Sequence, residues 1–128
     1  MGKRQAITGK DIPSHPQPFP TAVRVGNMIF SSAVSGENPA TESRSEDAAE
    51  QIAQAFVNMR TIVERGGGSV GDIAKVVVYL KDRKDRELVN REWVKIFPDE
   101  NDRPVRHTIA TDLPGKNMLI QLEFIAVL

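Results

Sequence analysis

The chain has 128 residues, no cysteine, and 17 basic against 17 acidic side chains, a length that suits one domain, 1–128, built on one core. Balanced charge argues against a broad nucleic-acid or membrane footprint, so any anion site must be local. The lack of cysteine excludes disulfides, thiolate metal sites and thiol nucleophiles.

The opening MGKRQAITGKD has no apolar signal core, and no run approaches the about 20 apolar residues of a membrane span. The cytoplasm is therefore the simplest expected location. Pro13, Pro16, Pro18 and Pro20 block helix and predict an extended, turn-rich lead-in that wraps rather than packs. Residues 21–25 and 28–32 are β-prone runs around Gly26-Asn27, a dipeptide that closes a tight hairpin. The polar stretch GENPATESR, residues 36–44, predicts a surface loop.

From about Ser45, the three- and four-residue spacing of Ala48, Ile52, Ala55, Phe56, Met59, Ile62 and Val63 predicts an amphipathic helix. Ser45 or Asp47 caps its start, and Gly66-Gly67-Gly68 ends it. The latter is a helix stop and not a phosphate cradle, which opens a helix. Residues 73–80 (IAKVVVYL) predict a strand covered on both faces. Leu88, Val89, Trp93, Ile96 and Phe97 give a shorter helix stopped by Pro98. Residues 105–111 and 118–128 complete the order ββαβαββ as strands.

Two helices cover only one face of such a sheet. In the last strand the even positions from Met118 to Leu128 are all apolar, as a helix-covered face requires. The odd positions mix Leu119, Gln121, Glu123, Ile125 and Val127, a composition suited to cover by another subunit.

Arg106 follows Pro104 in a β-prone run and shares parity with Thr108 and Ala110. Its forked, permanent charge matches a carboxylate bidentately. A surface or intersubunit ion pair fits the same spacing, and spacing alone favours that plainer reading. Gln121 and Glu123 share one face, where a carboxylate orients water as a general base or a polar pair makes interface hydrogen bonds. Ser32 ends a strand as a ligand donor or a turn bond, and with no base near it in sequence it is a poor nucleophile. Asn90 lies just off the apolar stripe of the second helix, where an amide usually bonds nearby backbone. His15 and His107 are the only imidazoles, far apart and unframed by acidic ligands, so no metal and no Ser/His/Asp site is expected. His107 has opposite parity to Arg106 and reads as structural or as a flanking acid.

The pair Pro18-Phe19, then VGNMIFSSAVSG, VGDIAKVVVYLKD, VNREWVKIF, RPVRHTIATDLP and the closing LIQLEFIAVL, collinear over nearly the whole length, resemble the RidA (YjgF) family. The resemblance implies a chorismate-mutase-like α+β fold with two helices on one face of a mixed sheet. It also implies a homotrimer with sheets facing inward and ligand sites between subunits. The implied chemistry is cofactor-independent hydrolysis of an enamine or imine such as 2-aminoacrylate to a keto acid and ammonia.

By position, Arg106 matches the arginine that clamps the substrate carboxylate. Thr108 stands where many members carry cysteine, Ser32 and Asn90 match pocket positions, and Glu123 matches a family glutamate. Phe19 replaces the usual tyrosine, and Gln121 replaces a glutamate associated with positioning water; Ala33, His107 and Asp112 also depart. Glutamine cannot accept a proton as a carboxylate does, and phenylalanine has no hydroxyl, so the clamp survives better than the polar catalytic set. The expected function is an enamine/imine deaminase acting on a small unsaturated amino-acid-derived carboxylate, with Arg106, Gln121 and Thr108 catalytic and Ser32, Asn90, Phe19 and Glu123 in the pocket. Phe19 and Trp93 suit a larger unsaturated amino acid. The alternatives are a non-catalytic carboxylate-binding or regulatory trimer and, behind it, an endoribonuclease or translation inhibitor.

Overall fold

A computed structural model describes residues 2–128. Gly26 takes a φ of 60°, the left-handed backbone that a two-residue hairpin turn demands. It joins Ala22–Val25 (β2) to Met28–Ser31 (β3) in antiparallel register. On its other edge β2 pairs with Arg4–Ile7 (β1). The lead-in thus begins as a strand, and Ile7 and Ile12 enter the core, against the expectation of a segment that wraps without packing. The prolines all follow β1, and two adjacent apolar residues, Ala6 and Ile7, are too few to set a period.

Val34–Ser35 (β4) pairs with the last strand, and the predicted loop closes as a small hairpin of Glu37–Asn38 (β5) and Ser43–Arg44 (β6). The first helix, Ala48–Arg65 (α1), starts at Asp47, whose carboxylate accepts from the Glu50 N–H at 3.2 Å. At its end Gly67, with φ 94°, donates to the Glu64 carbonyl, and Gly68 donates to that of Val63, the paired closure that a left-handed residue permits.

Ile73–Leu80 (β7), Arg86–Ile96 (α2) and Val105–Ala110 (β8) form a crossover unit, since β7 and β8 are parallel and need a long connection. Ile120–Val127 (β9) lies antiparallel between β3 and β7. The sheet runs β1-β2-β3-β9-β7-β8, with β4 also on β9. The predicted order ββαβαββ therefore survives as β2, β3, α1, β7, α2, β8, β9, with β1, β4 and β5–β6 added.

Ile120, Leu122, Phe124 and Ala126 of β9 are buried with Val76, Val78 and Leu80 of β7 in one core with the helices. Phe56 of α1 and Trp93 of α2 meet edge to face, centroids 6.4 Å apart. Within one chain β7 is sealed on this face only; Val77 and Tyr79 on the other face stay half-buried. That open face also carries Ile125, opposite Phe30 in register, and the exposed side chains of Phe30 and Val127. Among the described residues no helix is long and apolar enough to cross a membrane.

Candidate functional site

The expected site residues fall into two groups on opposite faces of the sheet. The first lies on β8, at the end of the strand order. In register with the buried Val76 and Val78, Arg106 and Thr108 project to the helix side. Arg106 Nη2 donates to Asn90 Oδ1 at 2.7 Å, and its guanidinium lies 5.0 Å from the Trp93 ring centroid, a cation–π arrangement. Asn90 Nδ2 in turn donates to Glu87 at 3.2 Å. Asn90 therefore orients an arginine instead of bonding backbone as its position suggested.

Among the described residues Arg106 forms no ion pair, so its remaining donors are open to an anion. Burial first, and then the like charge of Arg86, hold its pKa below the ordinary range, with Glu87 pulling the other way. The group stays charged at physiological pH.

The second group surrounds a cleft of about 370 Å³ between the lead-in and the ends of β3, β4 and β9, lined by His15, Phe19, Ser32, Met118 and Gln121 among others. That volume is in the range of small-molecule sites. Ser32 Oγ donates to the Thr21 carbonyl at 2.8 Å, so its hydroxyl proton is occupied and it faces a ligand as an acceptor. Gln121 Nε2 lies 3.2 Å from Met118 Sδ. Phe19 is about half exposed and packs on His15, ring centroids 4.5 Å apart. Glu123 sits two residues along the same face as Gln121, and Tyr79 Oη donates to it at 3.4 Å. The coulombic field of that carboxylate, then burial, pushes the Tyr79 phenol up. His107 is exposed and pairs in register with Val77 on the open face.

Three contributors to the cleft escaped the sequence reading. His15 Nδ1 accepts from the Gln17 N–H at 3.2 Å, which puts the proton of the neutral ring on a buried Nε2 without a partner among the described residues. Asn58, fully buried on α1, donates to the carbonyls of Ser35 and Glu37 at 2.9 and 2.8 Å. Gln51, equally buried, donates to the Ser45 and Asn117 carbonyls and accepts from the Leu119 N–H. Asn58 thereby pins the cleft wall at Ser35 and Glu37 to the helix, and Gln51 ties down the segments next to the lining residues Arg44 and Met118. The only signal of these two amides in sequence is a polar residue standing where the helical period calls for an apolar one.

The two-helix mixed sheet is the architecture of the chorismate-mutase-like α+β fold. The family model described as Endoribonuclease L-PSP matches residues 10–128. The chain is 34% identical over 124 residues to the 2-iminobutanoate/2-iminopropanoate deaminase of Escherichia coli (strain K12), covering 96% of this chain and 97% of that one. Its fold superposes on RidA from the Antarctic bacterium Psychrobacter sp. with a TM-score of 0.90 at 29% identity, over 98% of this chain and 100% of the other. It superposes on E. coli TdcF, solved with bound serine, with a TM-score of 0.88 at 27% identity, over 96% and 98%. The chain belongs to the RidA (YjgF) family, the Endoribonuclease L-PSP family of that model, and imine deaminases are among the family's members.

Proposed function

We propose that this protein is a cofactor-independent imine deaminase that binds the carboxylate of a small 2-imino or 2-amino-unsaturated acid on Arg106. The observation that carries the reading is the Arg106 guanidinium itself. It is half-buried, aimed by Asn90 and Trp93, and free of any ion pair among the described residues. By contrast, Arg24 and Arg103 spend their guanidinium groups on backbone carbonyls.

An enamine first tautomerises to the imine. Water then adds to the C=N carbon, a proton passes from oxygen to nitrogen, and the C–N bond breaks to give keto acid and ammonia. The fixed charge of Arg106 holds the carboxylate and offsets its negative charge, which leaves the imine carbon more electrophilic toward water. Thr108 and Asn90 lie beside the reacting end. Phe19, Ser32, Gln121 and Glu123 belong to the opposite face, so one chain cannot bring both groups to one ligand. A homotrimer with sheets turned inward places the β8 edge of one copy against the cleft of the next. The half-exposed apolar residues of the open face, Phe30, Val77, Ile125 and Val127, support that cover.

A second reading, a carboxylate-binding trimer without turnover, is favoured by Gln121 and Phe19, which supply neither a base nor a hydroxyl. Ammonia release from enzymatically generated 2-aminoacrylate decides between them. The deaminase reading expects release that falls about a hundredfold in Arg106→Ala while sedimentation still gives a trimer. Equal rates in both proteins would sink it.

A further inference from the structure

Beside the proposed clamp is a separate cleft of about 230 Å³, lined by Leu80, Arg83, Arg86, Thr108 and Ala110. It is smaller than the roughly 300–1,000 Å³ of a whole-ligand pocket, which suits one end of a ligand whose other end lies elsewhere. Its polar lining residues are Arg83, Arg86 and Thr108, whose side chains can all donate, and no acidic residue is among them.

The cleft adjoins the clamp along two elements. Thr108 follows Arg106 by two residues on the same face of β8, a step of roughly 7 Å along a strand. Arg86 precedes Asn90 by four residues on α2, which puts both on one face of that helix.

Glu87 acts on Arg106 through its field alone. Among the described residues no carboxylate pairs directly with the arginines of the cleft, Arg83 and Arg86. Asp82 lies 3.7 Å from Lys84, and Glu87 accepts from Asn90. Asp85 is buried and pairs with none of these arginines. With Arg106 this leaves three cationic side chains along one edge. One carboxylate on Arg106 would leave the exposed Arg83 and Arg86 with only solvent as a partner.

Resting on the carboxylate-clamp reading above, we infer that the substrate carries a second carboxylate, received by Arg83 and Arg86 in the cleft beside Thr108, so that imines of dicarboxylic amino acids are preferred over monocarboxylic ones. The carboxyl carbons of a five-carbon dicarboxylic acid are four C–C bonds apart, roughly 5 Å when extended. That reach is comparable to the strand step from Arg106 to Thr108. Arg83 and Arg86 thereby set specificity without touching the reacting carbon.

The test uses the full-length protein with imines formed in situ by amino-acid oxidases from glutamate and from alanine. The ratio of kcat/KM, glutamate-derived over alanine-derived, should exceed one in the wild type and fall about tenfold to a hundredfold in Arg83→Ala/Arg86→Ala, the range for lost charge-assisted hydrogen bonds. A ratio below one, or one unchanged by the double substitution, overturns the inference. Calorimetric binding of 2-oxoglutarate against pyruvate reads the same preference without turnover. A protein that hydrolyses neither imine yet binds 2-oxoglutarate more tightly through these arginines would refute the deaminase reading and uphold the dicarboxylate site. Equal binding of the two keto acids would refute the site whatever the turnover.

Discussion

Arg106 on the edge strand and Asn90 on the helix beside it are joined by a single 2.7 Å hydrogen bond in which the amide oxygen accepts from Nη2. A neutral acceptor orients the guanidinium without cancelling its charge, which a carboxylate in the same place would do. Asn90→Ala should therefore weaken the clamp and Arg106→Ala should abolish it. We expect kcat/KM to fall about tenfold in the first and about a hundredfold in the second. Steady-state kinetics on 2-aminoacrylate, with melting temperatures as the control for folding, check both.

Gln121 lines the cleft with Phe19 and Ser32, at a position where the family resemblance implies a glutamate. Gln121→Glu should raise deamination, since a carboxylate accepts a proton from attacking water and an amide does not; general-base assistance is worth about a hundredfold or more where the geometry is right. The gain should appear in kcat with little change in KM. An unchanged kcat would mean that water is positioned by other groups.

Asn58 joins the cleft wall to α1 through the Ser35 and Glu37 carbonyls. Asn58→Leu keeps the bulk and strands both acceptors in the interior, at an expected loss of about 2–4 kcal/mol in unfolding free energy. Urea titration followed by circular dichroism measures it. A loss under about 0.5 kcal/mol, the level of an ordinary surface substitution, would show that water replaces the amide.

Asp85 is buried at the start of α2 without a side-chain capping bond. Desolvation raises its pKa, with Lys84 working against the shift and Asp82 adding to it. The folded state then holds this proton more tightly than the unfolded state, so stability falls as pH rises from the unfolded pKa of about 3.9 through the raised folded value. Asp85→Asn should be more stable than the wild type at about pH 7, with the advantage shrinking toward about pH 4. Urea midpoints at several pH values test the sign, and a constant difference would show that burial is not the cause.

Much of this fold is legible along the chain because local periods report local burial. The α1 stripe from Ala48 to Val63, its stop at Gly66-Gly67-Gly68, the Gly26-Asn27 hairpin and the alternation of β9 each follow from a repeat of two or 3.6 residues. β1 was not legible, because two adjacent apolar residues carry no period and become a strand only once β2 offers an edge. Gln51 and Asn58 read as faults in a helical stripe, because their carbonyl partners lie in segments brought near only by folding.

The candidate site divides in the same way. Sequence by itself determined which side chains are present and that Arg106 shares parity with Thr108, since alternation is a property of a single strand. Tertiary structure alone decided that Arg106 faces Asn90 and Trp93, and that Gln121 opens on the opposite side of the sheet. Side-chain direction relative to the core depends on which face the helices cover and which strands stand at the edge, and both are fixed by contacts between residues far apart in the chain.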